Sequence, residues 1–375
     1  MTYKNKNMIN SLKIHNYRNL VDLKINSLSQ INLITGKNNT GKSTLLEAIT
    51  LLVSKGDIKI LSQILLERGE HFRFNDAYKT TESAVKSLSS LFSDRIITFN
   101  SNDFIEISSS NNKKDDNDNI KLSLVKYINE DDRDSIVRKK VILNFDDDDP
   151  NIKIGFKIEV NNQTQIYPLL DGLDRYVNPL RFKNNDYTEV IKYVKTKNIN
   201  KDSNSKLWDS IDLTPKEKYV IDALKIIEPK TEGITFKQVS REDRTPFIKL
   251  SDDNLIIPLE SMGDGINRIL TIILSLVNSE NGVFLIDEIE NGLHYSVQEK
   301  LWEIIFNLSD KLNIQVFATT HSEDTIKSFE NIINNSSNKI EGKLIRLENK
   351  NNSIRQIEFD ANELKIATDN DIEIR

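Results

Sequence analysis

Residues 31–49 read INLITGKNNTGKSTLLEAI, and this stretch decides the fold. Ile31–Thr35 is almost continuously apolar, as a strand buried on both faces is. Gly36-Lys37-Asn38-Asn39-Thr40-Gly41-Lys42-Ser43 then satisfies G-x-x-x-x-G-K-[ST]. Beyond it Leu45, Ile49 and Leu52 recur at helical spacing. Strand, glycine-rich turn and helix in that order form a phosphate cradle. The glycines let backbone N–H groups turn inward, and the helix N-terminus adds positive potential. Lys42 is expected to bridge β- and γ-phosphates and the Ser43 hydroxyl to ligate Mg2+. Gly36, Asn38, Asn39, Thr40, Gly41 and Thr44 are expected to complete the cradle.

Three further patterns follow in the last third. GVFLIDEIENGLH (282–294) is an apolar strand ending in Asp287 and Glu288. Asp287 is placed to join Ser43 in the Mg2+ shell, and Glu288 to orient and polarise an attacking water. Ser261-Met262-Gly263-Asp264-Gly265 precedes the apolar helix INRILTIILSLV. A Ser and backbone amides at a helix N-terminus suit a γ-phosphate, and Ser261 and Gly263 need not face their own phosphate loop. Finally, His321 ends the strand IQVFATT, on the ligand side of a parallel sheet, where it can sense the γ-phosphate. His294 is read as a helix cap or part of a seam near Asn291.

The rest of the chain sorts into an α/β head with a mainly parallel sheet, a β-rich insertion and a small helical lobe. The expected divisions are 1–100, the N-terminal part of the head; 101–180, the insertion; 181–232, the helical lobe; and 233–375, the C-terminal part of the head. Within the insertion, DFIEIS, IKLSLVKYI, IVRKKVILNF and IKIGFKIEV alternate with polar loops. Asp146–Asp149 are read as a solvated loop tip, because four consecutive acids point in different directions. Residues 181–206 hold seven Lys or Arg against three acids, with Tyr187 and Tyr193 among them, a candidate nucleic-acid contact. Thr214, Pro215 and Glu217 predict a capping box opening the next helix. Strands at KLIRLE and SIRQIEF are expected to close the chain.

Composition narrows the function. With 51 basic and 57 acidic residues the 375-residue chain carries a net charge of -6, which argues against a surface that binds nucleic acid all over. Cys is absent, which excludes disulfides and thiolate zinc, and with only four His a multi-His metal centre is not expected. No apolar leader opens the chain and no membrane-length run occurs, so a cytoplasmic protein without membrane contact is expected.

The order of phosphate loop, Ser-x-Gly-x-Gly, Asp-Glu strand and strand-end His is that of ABC-type ATPase heads. Residues 11–49, SLKIHNYRNLVDLKINSLSQINLITGKNNTGKSTLLEAI, resemble the RecF/SMC branch, including the Tyr17-Arg18 element. PLESMGDGINRIL, FLIDEIENGLHYSVQEKLW and QVFATTHS are more similar to the short OLD-like ATPases, among them the ATPase subunits of anti-phage systems such as PARIS. The resemblance covers residues 11–60 and about 233–335, with a weaker match in the EIR tail. It implies that ATP is sandwiched between two heads. Lys42 and Ser43 act in cis, Ser261 and Gly263 come from the partner, Asn291 and Gly292 cross the seam, and Arg18 lies near the base. It further implies hydrolysis of ATP to ADP and phosphate, a homodimer or higher homo-oligomer, and a nucleotide-dependent switch. Met262 and Asp264 depart from the transporter signature L-S-G-G-Q/E, and Gln63 is the candidate for the Mg2+-sensing glutamine. The 244 residues between Ser43 and Asp287 leave no room for an SMC-length coiled coil, and 54 residues after His321 leave none for the Toprim nuclease of full-length OLD proteins. A separate effector, a Toprim-like nuclease or other toxin, is therefore expected. The alternatives are a RecF-like DNA-repair ATPase that binds DNA and an ATP-gated scaffold with little turnover.

Overall fold

The structure, a computed structural model, describes residues 8–70, 80–110, 118–131, 137–142, 149–169, 191–196, 201–239, 244–251, 255–263, 265–334, 340–351, 353–370 and 372–374. Asp146–Asp148, Tyr187, most of the basic stretch and Asp264 lie outside them. The first half contains β1 (Ser11–Tyr17), β2 (Leu20–Ile25), β3 (Ile31–Thr35), α1 (Lys42–Val53), α2 (Ile58–Glu67), α3 (Thr81–Ser89), β4 (Ile105–Ser110), β5 (Asn119–Asp131), β6 (Val137–Val141), β7 (Lys153–Val160) and β8 (Gln163–Pro168). There follow β9 (Ile191–Val194), α4 (Lys201–Asp209), α5 (Lys216–Ile227), β10 (Thr231–Gln238), β11 (Arg244–Leu250), β12 (Ile256–Pro258) and α6 (Gly265–Val277). The chain closes with β13 (Val283–Ile286), α7 (Gln298–Leu312), β14 (Gln315–Thr319), α8 (Glu323–Ile333), β15 (Gly342–Lys350), β16 (Ser353–Phe359) and α9 (Ala361–Asp369).

The sheet that carries the site has the order β16-β15-β3-β14-β13-β9, with every pair parallel except β15–β16. Its central strands are buried throughout and mainly apolar, because both faces are covered. Side chains alternate between the faces. Phe284, Ile286, Val316 and Ala318 join a core shared with α4–α8. Val283, Leu285 and Phe317 join a second core with α1, α2 and an antiparallel sheet. That second sheet, β2-β1-β4-β5-β7-β8 with β6 on β5, is antiparallel and roofs α1.

Several pairings differ from the linear reading. The strands of 101–180 do not stand apart, because β4 pairs with β1 and extends an N-terminal hairpin. Residues 181–232 contain a strand as well as helices. β9 is the edge of the parallel sheet, in register with β13, and α4 and α5 pack into the head core. At four residues, two of them Lys192 and Tyr193, β9 is too short and too polar to announce itself as a strand. A three-stranded antiparallel sheet, β10-β11-β12, and helix α9 also escaped the sequence reading. The capping box at Thr214 does not form. Helix α5 begins one residue later than that box requires, and the Thr214 hydroxyl accepts from Lys216 N at 3.2 Å rather than from Glu217. Among the described residues no helix is long and apolar enough to cross a membrane.

Candidate functional site

The phosphate loop joins β3 to α1, and its glycines are there for room. A Cβ on Gly36, whose φ is 142°, would lie 2.3 Å from the Leu347 carbonyl oxygen on β15. Gly41 takes φ 90° as the residue that caps α1. Thr40 is buried and its hydroxyl donates to the Lys37 carbonyl at 2.9 Å, closing the loop on itself. Lys42 is also buried, and its ammonium donates to the carbonyls of Gly36 (2.6 Å) and Lys37 (3.0 Å). Burial pulls its pKa down to about 8, although Asp287, Glu288 and Glu290 all act to raise it. A desolvated cation held by two loop carbonyls can exchange those acceptors for the oxygens of an anion.

Parallel pairing through β14 brings the end of β13 level with the start of α1. Ser43 Oγ donates to Asp287 Oδ2 at 2.9 Å across 244 residues of chain. Thr319, wholly buried at the end of β14, donates to Asp287 Oδ1 at 2.6 Å, and its oxygen accepts from Glu288 N at 2.8 Å. Glu288 takes a left-handed φ of 48°, a conformation uncommon for a side-chain-bearing residue. Its Oε1 lies 3.8 Å from His321 Nε2. Glu290 holds the other side, accepting from Thr320 Oγ1 (2.9 Å) and from His321 N (2.8 Å).

The hydroxyl of Ser43 and the carboxylate of Asp287 are a convergent pair of hard oxygen donors. No cluster of three or more acids or His that could hold a metal occurs among the described residues. Two protein oxygens fit Mg2+, which keeps most of its shell for water and phosphate; they do not make a cage for Ca2+.

Beside the loop opens a cavity of about 560 Å3 lined by Arg18, Asn19, Asn38, Asn39, Gly41, Lys42, Ser43, Thr44, Arg68, Ser90, Phe92, Asp94, Arg95 and His321. Arg18 lines this cavity together with residues of the loop. It is held by Glu47, a buried acid one turn beyond Ser43 on α1. Glu47 Oε2 meets Arg18 Nε at 3.1 Å and accepts from the Tyr17 hydroxyl at 3.3 Å, while Oε1 accepts from Arg68 Nε at 2.8 Å.

Ser261 and Gly263 do not line this cavity; both are exposed ahead of α6. Asn291 and Gly292 are exposed beside them, since a Cβ on Gly265 would lie 3.0 Å from the Gly292 carbonyl oxygen. The two segments thus form one surface. His294 accepts from Ser296 N at 3.4 Å and caps the turn before α7. Gln63 is exposed on α2, where it donates to Glu67 at 2.9 Å and lines no part of the cavity.

Arg268, Thr319, Glu290, Glu47 and Arg68 escaped the sequence reading. Arg268 is buried in α6, and its Nη2 donates to the carbonyls of Asp287 (3.1 Å) and Glu288 (2.8 Å). Burial lowers its pKa against the raising effect of Glu290, Glu288 and Asp287. A cation inside INRILTIILSLV was the available signal, because such a residue needs a buried acceptor. Thr319 and Glu47 gave no signal of that kind, their types being ordinary in a strand and a helix.

A family model described as an AAA ATPase domain matches residues 8–326. An ATP/GTP phosphatase of Helicobacter pylori (strain ATCC 700392 / 26695) is 26% identical over 358 residues, 87% of this chain and 88% of that protein. An uncharacterised protein of Methanocaldococcus jannaschii shares 48% identity over 67 residues, 16% of this chain and 31% of its own length. Among solved structures, an SMC head bound to the C-winged helix domain of ScpA superposes with a TM-score of 0.53 at 12% identity, over 94% of this chain and 98% of that one. That likeness is one of fold: an α/β head of SMC and ABC type, with one antiparallel and one mainly parallel sheet.

Proposed function

The chain belongs to the AAA ATPase domain family, and from that premise we propose that it hydrolyses ATP as a nucleotide-dependent switch of the ABC and OLD type. The observation that carries this reading is the bonded set Ser43–Asp287–Thr319–Glu288, which fixes a hydroxyl, a carboxylate and a second, freer carboxylate around the mouth of the phosphate loop. Lys42 exchanges two loop carbonyls for phosphate oxygens. Ser43 and Asp287 would hold Mg2+, which would neutralise charge on the phosphates when bound. Glu288 accepts the proton of the attacking water, and its left-handed bend keeps the carboxylate off the sheet and toward His321. His321 orients that water and reports the γ-phosphate.

The switch needs two copies. Ser261 and Gly263 are exposed with Asn291 and Gly292 beside them, which supports a surface that caps the nucleotide of a second head. Closure and opening of that pair would then be transmitted to a separate effector, in the manner of the anti-phage ATPases whose motifs these segments resemble.

Wild type, Lys42→Ala and Glu288→Gln decide the catalytic part. Lys42→Ala is expected to lose ATP binding. Glu288→Gln is expected to keep binding while turnover falls by about 10²–10⁴. Equal hydrolysis by all three refutes the site. For the paired state, light scattering of Glu288→Gln is expected to show a mass doubling with ATP that Ser261→Arg abolishes. A monomer at saturating ATP refutes the sandwich and leaves the hydrolytic site standing.

A further inference from the structure

Glu290 follows Glu288 by two residues, and the hydrolytic cycle above gives it no task. Its bonds suggest one. Strand β14 ends at Thr319, and Thr320 N makes the last bond to β3, donating to Ile34 O at 3.0 Å. Helix α8 begins at Glu323, capped by the Ser322 hydroxyl, which accepts from Thr325 N at 3.3 Å. His321 lies in the crossing between them, past that last ladder bond. Its N–H donates to Glu290 Oε1 at 2.8 Å. The buried Thr320 hydroxyl donates to Glu290 Oε2 at 2.9 Å and accepts from Ser322 N at 3.0 Å. One carboxylate thus holds two successive residues of the crossing, one on each oxygen.

Glu290 is itself fixed. Ile289 beside it is buried and donates from N to Thr319 O at 3.0 Å, and Glu290 O accepts from Leu293 N at 2.9 Å. At the other end of the clamp, His321 lines the cavity and places Nε2 3.8 Å from Glu288 Oε1. A shift of the His321 backbone is therefore a shift of the imidazole against Glu288 and the mouth of the loop. Glu290 also acts through its charge on Lys42 and on Arg268. Its reach and its charge are separate properties, and only the reach bears on where His321 sits.

Resting on the hydrolytic reading above, we propose that Glu290 is a positioning residue for turnover, clamping the His321 backbone so that the imidazole meets the attacking water beside Glu288. Two variants of the full chain part reach from charge. Glu290→Asp keeps the charge and withdraws the carboxylate by one carbon–carbon bond, about 1.5 Å, out of reach of both donors. Glu290→Gln keeps the reach and drops the charge: its oxygen accepts from His321 N and its amide donates to the Thr320 hydroxyl. Single-turnover hydrolysis, with protein in excess over ATP, makes slow rates measurable. Glu290→Asp is expected to react at least about tenfold more slowly than Glu290→Gln, while their calorimetric ATP dissociation constants agree within about threefold. In protein that also carries His321→Ala the two should react within about twofold of each other, because no ring remains to be placed. Glu290→Asp reacting as fast as Glu290→Gln or faster overturns the proposal, since charge then governs. A tenfold gap that persists beside His321→Ala overturns it as well. If a Glu290 variant does not fold, Thr320→Val, which removes the bond to Oε2, takes its place; a rate within about twofold of wild type counts against the clamp. Should Lys42→Ala and Glu288→Gln hydrolyse ATP like wild type, the hydrolytic reading falls and this assignment with it. If those two lose turnover while the Glu290 pair stays equal, only the role of Glu290 falls.

Discussion

Replacing Thr319 by valine tests how the acid-bearing end of β13 is held. Thr319 is fully buried, its hydroxyl donates to Asp287 Oδ1 at 2.6 Å, and it accepts from Glu288 N at 2.8 Å. Valine keeps the volume and the branching at Cβ, so packing changes little and the loss is confined to those two hydrogen bonds. A bond to a charged acceptor contributes about 1.5–3 kcal/mol, and leaving the Glu288 N–H without a partner adds about 1 kcal/mol. The expected destabilisation is about 3 kcal/mol, well above the roughly 1 kcal/mol of an average substitution. The same change frees the Glu288 amide, which the hydroxyl pins in its left-handed bend. Turnover should therefore fall at least about tenfold, while ATP affinity, set by the loop, moves less. Urea unfolding and steady-state ATP hydrolysis provide the readouts, with Thr319→Ser as the variant that retains the hydroxyl. If the valine and serine variants unfold at the same urea concentration and turn over alike, Thr319 does not organise the site.

Because burial lowers Lys42 to about 8 from 10.5, the folded chain binds fewer protons than the unfolded chain between those values. Wild-type stability relative to Lys42→Met should therefore rise with pH across that window, as urea midpoints on either side of it will show. ATP restores the charge, so binding near pH 8 should take up protons, measurable as a dependence of the calorimetric heat on the buffer's ionisation enthalpy. Glu47→Gln leaves Arg18 and Arg68 without their shared counter-ion and should cost about 3 kcal/mol in chemical denaturation; a loss under about 1 kcal/mol would show the cluster to be solvent-screened. Gly36→Ala places a methyl group 2.3 Å from the Leu347 carbonyl oxygen and should destabilise by about 2–3 kcal/mol and weaken ATP binding together; an unchanged melting point would mean that β15 yields.

The parts of the site legible beforehand are those whose chemistry is written in consecutive residues. Gly36 to Ser43 must be contiguous, because adjacent N–H groups have to converge on one ligand. Asp287 and Glu288 follow an apolar run that can only be a buried strand, and His321 follows another. By contrast, the capping box at Thr214 failed because helix α5 starts one residue later, where competing local hydrogen bonds of similar strength decide the boundary. Strand β9 was hidden because its stability comes from pairing with β13 rather than from its own four residues.

Periodicity and motif spacing were enough for a phosphate-binding α/β head, because burial on two faces and donor convergence are local demands on residue type. Strand order lay beyond their reach. Only the packed sheets decide that β14 lies between β3 and β13, and hence that Thr319 meets Asp287 and Ser43 meets Asp287. The same holds for Glu47 between two arginines and for Arg268 beneath the acids, where the partner of a buried charge is whatever the fold brings within about 3 Å of it.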